Sequence, residues 1–391
     1  MKIIFFAHPL FLTSQSMPRF VSMLSEGMES RGHEVEIWRP RALFSKLKIK
    51  SLKKWLGYVD QYIVFPNTVK RGLKAHDQDV LYVVTDHALG PYVPLVVNKP
   101  HVIHCHDFLA QAAALGKIVA PKTSFTGRQY QAFIQRGYSK GANFISVSKK
   151  TQSDLERHLN HKPVLSRVIY NGVNDFFKLS SISEARKCLS QELNIDFALG
   201  YILHVGGNQW YKNRVGVITI YNKWRELYQI QLPLILIGHQ ATALLLGAYN
   251  NSPFKDDIYL ISTATDEMVR NAYSGASVFL FPSLAEGFGW PIAEAMASGT
   301  LVVTTNEAPM TEVAGDAAFL IDRMPGEEGE KGKWADESAR VLQKVILLNV
   351  ENRQDFISKG LENVKRFNLE NTLDELEVLY KEVMSNYRLK N

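Results

Sequence analysis

Cysteine is scarce, with only Cys105 and Cys188 in 391 residues. Two thiols this far apart give neither a disulfide framework nor a cysteine-rich zinc site. No apolar run approaches the roughly 20 residues that span a bilayer, and the opening MKIIFFAHPL is interrupted too soon for a signal peptide. MKIIFFA reads instead as a first buried strand, and a cytoplasmic protein is expected. No internal repeat or heptad pattern runs along the chain, which excludes solenoids and coiled coils. Nucleic-acid signatures are also missing, so nucleic acid is not an expected partner. What is present is a globular composition, 46% hydrophobic and 21% charged. The chain is too long for one core, and two domains are expected.

Charge is unevenly spread. Residues 1–174 hold 24 Lys and Arg against 11 Asp and Glu, or +13, and residues 175–391 hold 21 against 28, or −7, giving the net +6. Much of the excess lies in RALFSKLKIKSLKKWLGY, where Lys46, Lys48, Lys50, Lys53 and Lys54 alternate with Leu47, Ile49, Leu52, Trp55 and Leu56. Two readings stand. Residues 41–56 form a peripheral contact with an anionic membrane surface or receive an anionic acceptor, or they are a solvated face with a few core-facing side chains.

Short apolar runs alternate with helical periods. MKIIFFA, HEVEIWRP, LYVVTD, PHVIHCHD and NFISVSK form one series of strands, with a helix from about Pro18 to Arg31. A second series starts at Gly200 with YILHVGG and continues through LPLILIGH, DIYLIS, SVFLFPS and TLVVTT. Two α/β domains with parallel, Rossmann-like sheets follow. Such sheets bind ligands beyond the carboxyl ends of their strands, so a site in a central cleft faced by both domains is expected. The expected boundaries are 1–174, 175–369 and a terminal helix over 370–391. In that helix Thr372 and Glu375 have capping-box spacing, and Leu373, Leu376, Leu379, Tyr380 and Val383 share one face. Asp322 to Asp336, rich in glycine and charge, reads as a mobile surface loop. The DQD at Asp77 to Asp79 precedes a strand and is discounted as a metal site.

The densest chemistry lies in FPSLAEGFGWPIAEAMASGT, residues 281–300. The run SVFLF closes at Pro282 and Ser283 as a buried strand. Gly287 and Gly289 follow, and Pro291 suits the first turn of a helix that stops near Gly299. Unpaired amides at such a helix start, with the positive end of its dipole, form an anion site. Glu286 and Glu294 flank that site and would repel phosphate, so hydroxyl groups of a ribose and a sugar are their expected partners. The alternative is that both carboxylates cap and solvate a surface helix.

Glu286 and Glu294, in EGFGWPIAEAMASGT, resemble the E-x(7)-E signature of the family 4 retaining glycosyltransferases of the GT-B fold. Other segments follow that family's order. VIHCHD with His106 and Asp107 resembles its histidine motif, SVSKKTQSDL the strand and helix before the crossing, NGVN at Asn171 to Asn174 the linker, and HVGGNQWYKN the first strand and loop of the nucleotide domain. The resemblance implies transfer of a sugar from a nucleoside-diphosphate sugar to a glycan, glycolipid or other hydroxyl acceptor, with no metal or other cofactor. It implies that Lys212 meets the phosphates, that Glu286 holds the sugar hydroxyls and Glu294 the ribose, and that the amides of Phe288 and Gly289 meet phosphate. His106 would lie near the transferred sugar and the attacking hydroxyl, with the leaving phosphate taking the acceptor's proton. Base contacts fall to main chain near His239 and Thr263 to Thr265. The terminal helix would return to the first domain, and the protein would work at the inner membrane face or free in the cytoplasm.

Two departures stand out. Gly207 occupies the place where the family often has an arginine, which shifts phosphate neutralisation onto Lys212 and Arg214. The loop HPLFLTSQSMPRF lacks the family's glycine pair, and its Ser14, Gln15, Ser16 and Arg19 are expected to touch phosphate or acceptor. A noncatalytic nucleotide-sugar-binding or regulatory subunit is the second reading, and a membrane-surface adaptor working through residues 41–56 is a third.

Overall fold

Each β-branched or aromatic run forms a short parallel strand, because a strand covered on both faces by helices has no need of alternation. The computed structural model describes residues 1–11, 16–47, 52–75, 79–118 and 121–389. The chain forms two units, one of residues 1–117, 122–170 and 370–391, the other of residues 118–121 and 171–369. The division thus falls at Tyr170 and Asn171.

The first unit contains β1 (Lys2–Phe6), β2 (Glu34–Trp38), β3 (Val80–Val84), β4 (His101–Cys105), β5 (Asn143–Ser146) and β6 (Leu165–Val168), ordered β2-β1-β3-β4-β5-β6. All pairings are parallel, and Phe6 stands in register between Trp38 and Val84. The second unit contains β7 (Ile202–Val205), β8 (Leu234–Ile237), β9 (Ile258–Ile261), β10 (Val278–Phe281), β11 (Val302–Thr305) and β12 (Ala318–Ile321), ordered β12-β11-β10-β7-β8-β9. Its pairings are parallel too. Both sheets reverse direction once. The chain runs outward from β1 to β2 and returns to β3 on the far side of β1. It likewise runs from β7 out to β9 and returns to β10 beside β7. A doubly wound parallel sheet leaves its ligand crevice at such a reversal, outside the carboxyl ends of the strands.

Three expectations are corrected. The stretch read as a loop from Asp322 to Asp336 is half helix, because Glu328–Ile346 is helical. Trp334 is buried there and donates from Nε1 to Asp322 O at 2.7 Å, while Gly329 and Gly332 face open space and weaken the helix without clashing. The first helix is Ser16–Ser30 rather than Pro18 to Arg31, so Ser16, expected in the loop before it, is its first residue. Thr372 caps nothing. The last helix is Leu369–Arg388, and Thr372 sits inside it, donating from Oγ1 to Tyr170 O at 3.2 Å.

That last helix packs within the first unit on the buried face formed by Leu373, Leu376, Leu379, Tyr380 and Val383. Tyr380 OH lies 2.8 Å from His104 Nε2 on β4, and Arg31 donates to Asp374 and Glu370 at 2.7 and 2.8 Å. Both cysteines are free. Among the described residues, no helix is long and apolar enough to cross a membrane.

Candidate active site

In the second unit, the strand ends on either side of the reversal carry the polar residues. β7 runs into Gly206 and Gly207, then a single 3-10 turn, Trp210–Lys212, and the helix Arg214–Tyr228. Asn213 joins turn to helix in the left-handed conformation, φ 50°, which asparagine tolerates. Its Oδ1 accepts the Gly216 N–H at 3.2 Å, and its Nδ2 donates to Pro282 O at 3.0 Å, just past β10. One side chain therefore caps the helix and fixes the β7 loop to the β10 loop.

Lys212 and Glu286 meet across that seam. Lys212 Nζ donates to Glu286 Oε1 at 2.8 Å and to Oε2 at 2.9 Å. It also lies 5.2 Å from the centre of the Phe281 ring, whose face attracts a cation. The Ser283 hydroxyl is 2.6 Å from Glu286 Oε1, and Leu284 N–H donates to Tyr211 O at 2.7 Å. Both charged side chains are largely buried, which strengthens the pair and fixes its geometry.

From Glu286 the chain passes through Gly287 and buried Phe288 to Gly289, which opens the helix Trp290–Ala297 with φ 110°. That angle excludes other residues without strain. Pro291 occupies the first turn, where its missing N–H costs no intrahelical bond. Glu294 lies one turn on and accepts from Tyr273 OH at 3.0 Å through Oε2. Burial and the adjacent carboxylate raise the Tyr273 phenol well above its ordinary range, so it stays a hydrogen-bond donor.

Arg214 is buried, and the partners of its guanidinium among the described residues are neutral oxygens. Its Nη1 donates to Asn208 Oδ1 at 2.7 Å and to His239 O at 3.0 Å, tying the β7 loop to the β8 loop, and burial lowers its pKa. These loops nearly touch, since a Cβ on Gly238 would fall 1.9 Å from Gly206 O. Gly207 adds only backbone to this edge. His204, under the same loop, donates from Nδ1 to Leu280 O at 2.9 Å, and its buried Nε2 has no hydrogen-bond partner among the described residues. Burial pushes its pKa down to about 3, so it is neutral.

In the first unit His106 follows β4. Its Nε2 donates to Thr85 O at 2.9 Å, the Phe20 ring stands edge-on at 4.5 Å, and burial lowers its pKa. Asp107 accepts the Leu109 N–H at 3.0 Å across Phe108, just ahead of the helix Leu109–Ala114. Arg19 lies exposed in the first turn of the helix Ser16–Ser30. Ser14 and Gln15 lie outside the described residues, as do Asp77 of the DQD and Lys48 and Lys50 of the basic stretch. Among the described residues no group of three or more His, Cys, Asp or Glu is arranged to hold a metal.

Several residues of these two crevices escaped the sequence reading: Asn213, Ser283 and Tyr273 in the second unit, and His8, Asp86 and His87 in the first. One signal could have found most of them, namely polar residues just past the carboxyl end of a strand.

Comparison with known proteins agrees with the fold. The family described as Glycosyltransferase Family 4 matches residues 17–175, and that described as Glycosyl transferases group 1 matches residues 200–343. The O-antigen chain mannosyltransferase B of Escherichia coli is 30% identical over 184 residues, 46% of this chain and 46% of that protein. The O-antigen chain mannosyltransferase RfbU of Salmonella typhimurium is 26% identical over 250 residues, 63% of this chain and 62% of that protein. The chain therefore spans from about half to about three fifths of the length of these curated relatives. Among solved structures, HepE of Anabaena in complex with UDP and glucose superposes with a TM-score of 0.71 at 18% identity, covering 98% of this chain and all of that one. At that identity the likeness is one of fold.

Proposed function

Because the chain belongs to the family 4 glycosyltransferases of the GT-B fold, we propose that it moves a hexose from a nucleoside-diphosphate sugar to a hydroxyl of a saccharide or lipid-linked acceptor, with retention of anomeric configuration and without a metal. The observation that carries this reading is the Lys212–Glu286 pair at the reversal of the second sheet, beside a helix start opened by Gly289.

The chemistry asks for stabilisation of the charge that develops on the leaving phosphate. A fixed cation and helix-start amides supply it from groups already in place. Lys212 Nζ is that cation, Phe288 and Gly289 supply the amides, and Arg214 stiffens the loop in place of the arginine that Gly207 lacks. Glu286 accepts hydroxyl hydrogens of the sugar, and Glu294, oriented by Tyr273, those of the ribose. With no ligand the two charges neutralise each other. With the donor bound, Lys212 shares its protons between carboxylate and phosphate. Mannose is the first sugar to try, because two relatives are named mannosyltransferases.

Surface chemistry supports a further element of the reading, an inner-membrane-face location. Leu43, Phe44, Leu47, Leu52 and Trp55 are exposed beside Lys46 and Lys54, in the unit that carries the positive charge. Buried Asp60 fixes the segment by accepting the N–H groups of Leu43, Phe44 and Ser45 and the Ser45 hydroxyl, at 2.7 to 3.1 Å. Such an array suits an anionic lipid surface.

The test is turnover. GDP-mannose and UDP-glucose are offered with a panel of saccharide acceptors in excess chelator, and the product anomer is read by NMR. Chelator-resistant transfer with retention is expected, and Lys212→Ala and Glu286→Gln should each lower kcat by about a hundredfold or more. Saturable nucleotide-sugar binding without transfer to any acceptor would favour a noncatalytic binding subunit.

A further inference from the structure

The first sheet has a reversal of its own, between β1 and β3, and it too is lined by polar residues. His8 stands two residues past β1 and Asp86 two residues past β3. His8 Nε2 donates to Asp86 Oδ2 at 2.8 Å. Asp86 Oδ1 accepts the Ala88 N–H at 3.1 Å, and His87 Nδ1 lies at 3.1 Å from the same oxygen, an ion-pair distance without hydrogen-bond alignment. Burial opposes the Asp86 charge, yet its contacts with His8 and His87 hold its carboxyl well below the usual range. Asp86 is therefore an acceptor only, which in the neutral form of the His8 imidazole places the proton on Nε2.

That leaves Nδ1 of His8 with a lone pair. No described residue pairs with it, and the His8 side chain is 19% accessible. On the other side of β3, His106 has the same arrangement, with Nε2 held by Thr85 O. Two consecutive residues at one strand end thus fix the tautomers of two imidazoles that arrive from β1 and β4. A histidine used only for packing looks different here, since His104 and His204 are 1% and 0% exposed. A neutral imidazole nitrogen accepts a hydrogen bond. Phosphate dianions and carboxylates have no hydrogen to give it, whereas a sugar presents several hydroxyls.

Building on the transferase reading above, we propose that His8, oriented by Asp86 at the reversal of the first sheet, holds a hydroxyl of the acceptor saccharide through Nδ1. Two isosteric variants separate this role from a structural one. In His8→Gln the amide nitrogen replaces Nε2 and keeps the Asp86 bond, but no acceptor stands at Nδ1. In His8→Asn an amide oxygen can replace Nδ1, but nothing reaches Asp86.

With GDP-mannose as donor and octyl α-D-mannoside as acceptor probe, His8→Gln should raise the acceptor KM about tenfold, the cost of one lost hydrogen bond. The donor KM should stay within twofold, which also shows that the variant is folded. His8→Asn should recover most of the loss. A purely structural histidine gives the reverse order, with Gln near wild type and Asn impaired, and that order overturns the proposal. So does an unchanged acceptor KM in both variants, or a wild-type protein with no saturable response to the mannoside. Failure of every nucleotide sugar to turn over is a different result, because it removes the transferase reading on which this inference stands.

Discussion

His104 and His204 are buried, neutral imidazoles, one in each unit, and burial pushes the pKa of each down from 6.5 to about 3. His104 Nε2 meets Tyr380 OH, and His204 Nδ1 meets Leu280 O. The sign of their effect on stability follows. Between pH 6.5 and about 3 the unfolded chain binds protons that the folded chain refuses, so stability falls as pH falls through that window. Each group contributes a slope of up to about 1.4 kcal/mol per pH unit. In urea titrations across that range, His104→Gln and His204→Asn keep the bonded nitrogen and should flatten the acid limb. An unchanged limb in both variants would show that neither burial is retained in solution. At this scale the sequence was legible where a residue's neighbours along the chain define its place, as with Gly289 and Pro291 at the helix start. It was not legible where the partner is distant. Nothing local to His8 announces Asp86, 78 positions away, and nothing local to Glu294 announces Tyr273.

Ten strands were named from the sequence, and β7 and β10 fall on either side of the reversal that places Lys212 near Glu286. The two strands that were missed, β6 and β12, each form one outer edge of their sheet, with β2 and β9 at the opposite edges, and are only partly buried. LSRV has two polar residues in four, and AFLI is an apolar run of only four residues, which periodicity cannot tell from a piece of buried helix. The helix Glu328–Ile346 was hidden by dispersed glycines, since its anchor, Trp334, acts through tertiary burial rather than periodicity. The β7 and β8 loops offer a test of how tightly these elements are set. A Cβ at Gly238 would meet Gly206 O at 1.9 Å, backbone against backbone, whereas one at Gly289 would meet only Ile292 Cδ1 at 3.4 Å and the strain of φ 110°. Gly289→Ala should therefore cost about 1–2 kcal/mol of stability. Gly238→Ala must part the loops that Arg214 joins, and should raise the donor KM more than Gly289→Ala does. Equal donor KM values would mean that this seam does not shape the nucleotide site.

For the molecule as a whole, the sequence sorted charge before it revealed any structure. The positive unit carries the exposed Leu43, Phe44, Leu47, Leu52 and Trp55, with Trp55 60% exposed. Sedimentation with vesicles should show binding that rises with the anionic lipid fraction and weakens with salt. Trp55→Ser should reduce it, and binding indifferent to lipid charge would count against the surface. The central proposal, however, concerns the second unit, and it is that Lys212 and Glu286 hold a nucleotide sugar. The most direct measurement is thermal unfolding in the presence of GDP, UDP, ADP and their sugars, with Lys212→Ala alongside. A ligand at 100 times its dissociation constant adds about 2.7 kcal/mol, which moves the Tm of a domain of this size by several degrees. The account predicts a shift selective for one nucleotide and lost in Lys212→Ala. No shift with any nucleotide, or one that survives in the variant, would contradict it.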